Sequence, residues 1–514
     1  MNGAESLVRT LVAGKVDVCF TNPGTSEMHF VAALDRVDGM RCVLGLFEGV
    51  VTGAADGYAR MADKPAATLL HLGPGLGNGL ANLHNAQRAA TPIINIVGDH
   101  ATYHRRHDAP LTSDIETVAR SVSGWLRTSR DSCSVAADAS AAIAAVTTPP
   151  GQIATLILPA DTAWNESDGA ATVAERGKPV RIGADAVAEA VRALRSGEPA
   201  LILLAGRALR HNGLDLAGRI AARTGARVMG QTFNARMERG AGRVPAERIP
   251  YPIDQALASL KGFRHFILVG AKPPVAFFAY PGKPSLLSPE GAEIHVLARP
   301  EEDLVHALEW LADELGARGV DPLLAADALP QPATGKITPE SLGLSIGALI
   351  PDNAVIIDEA ITTGRGFFAP TRSSRPHDWV QNMGGSIGFA MPLATGAAIA
   401  CPDRRVITLE GDGSAMYTVQ ALWTQARESL DVTTVIFANR SYAVLRHELA
   451  NVGARNVGRK ALDMLDIGRP DLDFVALSRG MGVPASRVET MEEFNAQFAA
   501  GVRTPGPNLI EVAL

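Results

Sequence analysis

Short runs of Val, Ile and Leu alternate with Ala-rich stretches of helical periodicity along almost the whole chain, and parallel sheets covered by helices satisfy that alternation best. In the first part VDVCF, RCVLGLF, AATLLHL and PIINIVG read as buried strands, with GVVTGAADGYARM as a helix between them. ALILLAG, ARVMG, HFILVG and EIHVLA repeat the pattern in the middle, and AVIID, RRVITLE, VTTVIFAN and NLIEVAL in the last part. Two stretches, 166–182 and 316–338, lose periodicity and gain Pro, Gly and charge, as linkers do. At roughly 150 residues per domain, a chain of 514 residues accommodates three. The expected architecture is therefore α/β, with three doubly wound parallel-sheet domains spanning 1–165, 180–320 and 338–514. The middle segment lacks GxGxxG, so a dinucleotide site there has no support.

The formal net charge is −6, with 48 basic against 54 acidic side chains, which excludes a nucleic-acid protein built on a basic face. Four cysteines show no metal or redox spacing and read as buried thiols in a reducing compartment. The N-terminal stretch MNGAESLVRTLVAG has no apolar signal region, so a cytoplasmic protein is expected. Gly385 to Cys401 is apolar enough to suggest a membrane span, but Ser386, Pro392 and its glycines make it a buried helix instead. No membrane partner is expected.

The chemistry concentrates between Arg405 and Tyr442. Val406–Leu409 reads as a strand, Glu410-Gly411-Asp412-Gly413-Ser414 as a turn, Ala415 to Leu430 as a helix, and Val432–Phe437 as a strand ending at Asn439. Parallel strands place Asp412 and Asn439 at carboxyl ends, the edge where open α/β sheets bind ligands. A carboxylate and an amide oxygen suit Mg²⁺, which completes its shell with phosphate and water. Ser414 opens a helix whose N–H groups would face a diphosphate. Taken alone, the same residues could be a tight turn and a strand-end cap.

GDG followed by Ala438-Asn439 resembles the GDG–NN motif of thiamine-diphosphate (ThDP) enzymes, with Ala438 replacing the first Asn. TNPGTSE, LFEGVVTGAADGYAR, LLHLGPGLGNGLANL, GGSIGFAMP and GDGSAMYTVQALW extend the resemblance over nearly the whole chain, toward the acetolactate synthase and benzoylformate decarboxylase branch. The resemblance implies that Asp412, Asn439 and the Ser441 backbone carbonyl ligate Mg²⁺. It implies that Glu48 hydrogen-bonds the aminopyrimidine of ThDP and drives its activation, although an acid there could also cap the following helix. Gly385 matches the backbone carbonyl that meets the 4′-amino group, and Ile387 the apolar wedge beneath the bent cofactor. Thr362, Gly413, Ser414 and Tyr442 match its diphosphate neighbours. His71 matches an acid/base histidine, though a strand-end His is often structural, and Thr25 matches a carboxylate-contacting serine.

The departures are informative. The decarboxylase branch brings a second histidine from its middle domain, whereas GAKPPVAFFAYPG has Phe277 and Phe278 there. A reaction intermediate that is harder to protonate favours carboligation. The flavin-carrying synthases' Arg-Phe-Asp-Asp-type stretch is missing, so FAD is not expected. Val444, Leu445 and Glu448 fall where the substrate pocket lies; Glu448 replaces an aromatic and argues for a small or polar 2-oxo acid, unless it is simply solvated. His100, His104 and His107 lack partners of ligand spacing and read as a polar loop rather than a metal site. The resemblance further implies an active site shared between subunits of a homodimer or homotetramer. The expected function is ThDP- and Mg²⁺-dependent 2-oxo-acid decarboxylation with carboligation. The alternatives are acetolactate synthesis proper and a non-catalytic ThDP-fold regulator.

Overall fold

The computed structural model describes residues 1–173 and 175–514; Ala174, inside the first expected linker, lies outside the described residues. The first sheet contains β1 (Val18–Asn22), β2 (Arg41–Leu44), β3 (Ala66–Leu70), β4 (Ile93–Asp99), β5 (Trp125–Thr128) and β6 (Ile153–Pro159). Its spatial order is β2-β1-β3-β4-β6-β5 with every pairing parallel. The second holds β7 (Ala200–Leu204), β8 (Arg227–Gly230), β10 (Glu247–Arg248), β11 (His265–Val269) and β12 (Glu293–Ala298), in the order β10-β8-β7-β11-β12. Between β8 and β10 in the chain, β9 (Met237–Arg239) leaves that sheet. The third sheet comprises β13 (Ala354–Glu359), β14 (His377–Gln381), β15 (Val406–Gly411), β16 (Val432–Ala438), β17 (Ala485–Val488) and β18 (Asn508–Ala513), with β9 added antiparallel on its edge. The three α/β sheets are thus as expected, except that the middle segment lends one strand to its C-terminal neighbour.

Central strands such as β3, β4, β6 and β16 are buried along their whole length, as strands covered on both faces must be. The helix Glu48–Ala62 is buried on nearly all sides because it packs between the first sheet and the helix Ala390–Ala400. The approach of these two helices is glycine-dependent: a Cβ on Gly57 would lie 2.0 Å from the Leu393 carbonyl oxygen, and one on Gly396 1.8 Å from that of Ala54. Buried ion pairs flank this seam. Arg60 grips Asp56 at 2.5 Å and donates to the Gln381 carbonyl at 2.9 Å, while Arg236 and Arg404 both pair with Asp378 on β14.

Three readings need correction. Cys19 is buried, but Cys42 and Cys133 are exposed and Cys401 is half-buried; Cys42 sits on β2, the open edge of its sheet. The stretch after Gly413 is two short helices, Asp412–Thr418 and Ala421–Arg427, and the Thr418 hydroxyl at the break donates to the Gly388 carbonyl at 2.9 Å. The buried helix expected from Gly385 starts only at Ala390, and the residues before it form a loop. Among the described residues no helix is long and apolar enough to cross a membrane.

Candidate active site

In a doubly wound sheet the loops part company at the switch point, leaving a crevice at the carboxyl ends of the two strands there. In the third sheet β13 leads outward to β14 on one side and β15 to β16 on the other, so the crevice opens after Glu359 and Gly411. A cavity of about 810 Å³ occupies it. Thr362 comes from the loop after β13, and Asp412, Gly413 and Ser414 follow β15. Asn439, Ser441 and Tyr442 follow β16, and Gly385 and Ile387 come from the loop before the buried helix. Val444, Leu445 and Glu448 line its outer part together with Phe277 and Phe278, which reach over from the middle segment.

Asp412 is buried. Its Oδ1 accepts the Gly413 N–H at 2.9 Å and its Oδ2 the Arg440 N–H at 2.5 Å, while the Arg440 guanidinium turns away to Asp471. Burial pushes its pKa up. A buried carboxylate with only backbone donors is held charged by a cation, and each oxygen keeps a free lone pair for one. The residues therefore fit Mg²⁺. They also fit a ligand at close range: Gly385 has φ +81°, which favours glycine, and a Cβ there would strike the Phe277 ring at 2.6 Å. A Cβ on Gly413 would meet the Tyr442 ring at 2.5 Å.

Sequence reasoning missed the groups that hold this loop. Asn382 accepts the Gly384 and Gly385 N–H groups at 3.0 and 2.7 Å, and Asn85 accepts the Ser386 N–H at 3.1 Å. Glu359 accepts the N–H groups of Gly388, Phe389 and Ala390 at 2.8, 2.9 and 2.8 Å, capping the buried helix. Burial raises Glu359 to about 8, and burial beside Glu359 pushes Glu410 well up. Glu448 is not a solvated carboxylate, because the Tyr280 hydroxyl donates to it at 2.5 Å and ties the helix Ala443–Asn451 to the middle segment.

Thr25, Glu48 and His71 do not line this cavity. They gather instead at the switch point of the first sheet, where β1 leads to β2 and β3 to β4. Glu48 is buried at the start of its helix, and its Oε2 accepts from the Asn78 amide at 2.9 Å. A Cβ on Gly75 would lie 3.1 Å from Glu48 Oε1 and 3.4 Å from the His71 Cβ, so a glycine separates the two groups. His71 Nδ1 meets Glu27 Oε2 at 2.8 Å, and Glu27 also accepts the Gly24 N–H at 2.8 Å; exposed Thr25 lies between them in the chain. The pair depends on two glycines: a Cβ on Gly24 would fall 2.1 Å from His71 Nδ1, and one on Gly98 1.6 Å from Glu27 Oε1. Glu27 was legible in TNPGTSE but its role was not, since only the fold brings β1 beside β3.

The backbone is strained at both crevices. Leu72, directly after His71, has φ +51°, Ile361, beside Thr362, has φ +43°, and Arg440 has φ +56°. Bulky residues in the left-handed region concentrate at functional sites. His104 and His107 lie in the connection after β4, where Arg105–His107 form a 3-10 turn, with ring centroids 5.8 Å apart.

Glu27 holds one nitrogen of the His71 ring at 2.8 Å. Burial raises its pKa from 4.5 although the neighbouring imidazole opposes this. The fold therefore keeps a proton that the unfolded chain releases above about 4.5, and this carboxyl costs stability as pH rises until it ionises in the fold as well. Glu27→Gln is expected to remove that slope, cut turnover by at least about tenfold, move the pH–rate profile and leave cofactor binding unchanged. An unmoved profile would show that Glu27 only packs.

Two crevices at strand ends thus carry the polar groups, Glu48, His71 and Glu27 in one and Asp412, Asn439 and Ser441 in the other. Residues 1–118 match the model of the thiamine pyrophosphate enzyme N-terminal TPP-binding domain, and 365–512 that of the C-terminal TPP-binding domain. The chain belongs to the thiamine pyrophosphate enzyme family. It is 55% identical, over 100% of its length and 99% of the other's, to a Mycobacterium tuberculosis protein named "Putative acetolactate synthase large subunit IlvX". It is 29% identical to the benzoylformate decarboxylase of Pseudomonas aeruginosa, covering 96% and 95% of the two chains. The structure of a thiamine diphosphate-dependent 4-hydroxybenzoylformate decarboxylase from Rhodococcus jostii RHA1 superposes with a TM-score of 0.86 at 25% identity, covering 100% of this chain and 99% of that one.

Proposed function

We propose that the chain is a ThDP- and Mg²⁺-dependent enzyme that decarboxylates a 2-oxo acid and passes the remaining fragment to an acceptor carbonyl, as an acetolactate synthase does. The observation that carries this reading is the buried Asp412 carboxylate beside Asn439 and Ser441, in the same cavity as Gly385 and Ile387. Bound ThDP supplies the electron sink. Asp412, Asn439 and the Ser441 carbonyl hold the cation, and Thr362, Ser414 and Tyr442 surround the diphosphate. Gly385 offers its carbonyl to the pyrimidine amino group, Ile387 packs beneath the cofactor, and Glu48 hydrogen-bonds the pyrimidine ring. His71, oriented by Glu27, moves a proton near the substrate, and Thr25 receives the substrate carboxylate.

Because Glu48, His71 and Thr25 lie outside the cavity of their own chain, a homodimer is the smallest active unit and a homotetramer two such units. On this reading residues 1–165 bind the pyrimidine, 180–320 form the middle domain and 338–514 bind diphosphate and metal, without FAD. The free cysteines support a cytoplasmic location. Acetolactate synthesis proper gains support from the 55%-identical relative's name, and it requires a ligated product from pyruvate.

CO₂ release from aliphatic, aromatic and polar 2-oxo acids, with ThDP and Mg²⁺ present and products analysed, tests the proposal. Release from none of them despite bound cofactor would overturn it. Phe278 supplies an apolar wall where the decarboxylase branch has a histidine, so Phe278→His is expected to shift product from ligated compound toward aldehyde. Identical product profiles would sink the carboligation reading.

A further inference from the structure

On the middle sheet, far along the chain from either crevice, two buried histidines and three glutamates converge. His265 opens β11; Glu293 opens β12 directly opposite it, and His295 follows two residues later. His265 Nδ1 lies 3.1 Å from His295 Nε2, and Glu293 Oε2 lies 3.6 and 3.7 Å from those two nitrogens. The outer nitrogens are already engaged: His265 Nε2 meets Glu198 Oε2 at 3.1 Å, and His295 Nδ1 meets Glu189 Oε1 at 2.8 Å. The two imidazoles are 5% and 7% exposed.

Ionised glutamates accept, so each outer nitrogen is the N–H donor of its ring. The inner nitrogens then both present lone pairs, and the third group facing them is a carboxylate oxygen. Three acceptors converge with no donor among them, and Arg264, the nearby cation, is engaged 3.7 Å from the other oxygen of Glu198. A tetrahedral ion bound at about 2.1 Å needs ligand atoms about 3.4 Å apart, and the three separations of 3.1, 3.6 and 3.7 Å bracket that value. Two histidines held by outer carboxylates are the arrangement that orients imidazoles toward zinc.

We infer that His265, His295 and Glu293 form a divalent transition-metal site, for which Zn²⁺ is the natural ion, with the fourth position open to water on the exposed Glu293 side. The ion would clamp β11 to β12, and through Glu189 the helix Ala184–Arg195 onto them. None of these residues lines the active-site cavity.

The test uses tag-free, chelator-stripped protein reloaded with ThDP and Mg²⁺, so that the Asp412 site is filled. Titration with Zn²⁺, and with Co²⁺ for the visible absorption of tetrahedral coordination, is followed in wild type, His295→Gln, Glu293→Gln, Glu189→Gln and His104→Gln, each checked for its fold by circular dichroism. Wild type and His104→Gln are expected to bind stoichiometrically with the tetrahedral cobalt spectrum. His295→Gln and Glu293→Gln should lose that spectrum, and Glu189→Gln should bind about 10–100-fold more weakly. Surface Glu293→Gln keeps the test decisive if His295→Gln misfolds. Absence of binding in wild type would mean that the histidines share a proton instead. That result, or loss of binding in His104→Gln alone, would overturn the inference.

Discussion

Glu48→Gln is expected to leave ThDP bound and CO₂ release slower by at least about a hundredfold. The substitution keeps the length of the side chain, and its amide oxygen can still accept from Asn78, which now holds Glu48 Oε2 at 2.9 Å. What it removes is the acidic proton the carboxyl would share with the cofactor's pyrimidine. Glu48 also stands in the first turn of its helix, where a negative charge is favourable by about 0.3–1 kcal/mol. Such a loss changes stability slightly and has no route to a hundredfold loss of rate. Measuring deuterium exchange at the cofactor's thiazolium carbon beside CO₂ release separates the two roles. A helix cap alone predicts a small drop in melting temperature with exchange unchanged, and that result would remove Glu48 from the chemistry.

Gly396→Ala is expected to destabilise the protein by roughly 3 kcal/mol, although it adds a single methyl group. The new Cβ would lie 1.8 Å from the Ala54 carbonyl oxygen and 2.6 Å from the Tyr58 nitrogen, both backbone atoms inside a helix. No rotamer change relieves such a contact, so the helices Glu48–Ala62 and Ala390–Ala400 must separate. Because Glu48 begins the first and Gly385 and Ile387 precede the second, a shift here displaces groups from both crevices. Gly77→Ala is the control: it also lies in a buried-faced helix, Leu72–Arg88, but nothing stands within 4 Å of its Cβ position, and alanine there should stabilise by about 0.5–1 kcal/mol. Denaturant melts reading the first cooperative transition check both. Equal stabilities of Gly396→Ala and wild type would show that the seam is looser than its distances indicate.

Much of the site could be read without coordinates. Asp412, Gly413, Ser414 and Asn439 are adjacent to strands whose apolar runs are unmistakable, so a parallel sheet must bring them to one edge. Glu48, Gly385 and Ile387 were legible through motifs that resemble a family pattern. Other elements defeated local reading for identifiable reasons. HDWVQ became the buried strand β14 because Arg236 and Arg404 neutralise Asp378, and those partners come from distant parts of the chain. β9 joined a sheet outside its own segment, with Met237, Glu238 and Arg239 pairing antiparallel to β14, a partner more than 130 residues away that local patterning does not point to. IATLILP, a continuous apolar run outside the strands expected from the sequence, forms the buried strand β6.

Periodicity and strand-end motifs, which act over a few residues, determined the three α/β sheets and the meeting of Asp412 and Asn439 at one sheet edge, while the roles proposed for Glu48, Gly385 and Ile387 rest on motifs that resemble a family pattern. Tertiary structure alone decided that Glu27 meets His71, that Glu359 and Asn382 pin the Gly384–Gly388 loop, and that His265, Glu293 and His295 converge. Each of these depends on which strands become neighbours, and hydrophobic patterning leaves that choice to the packing of the whole chain.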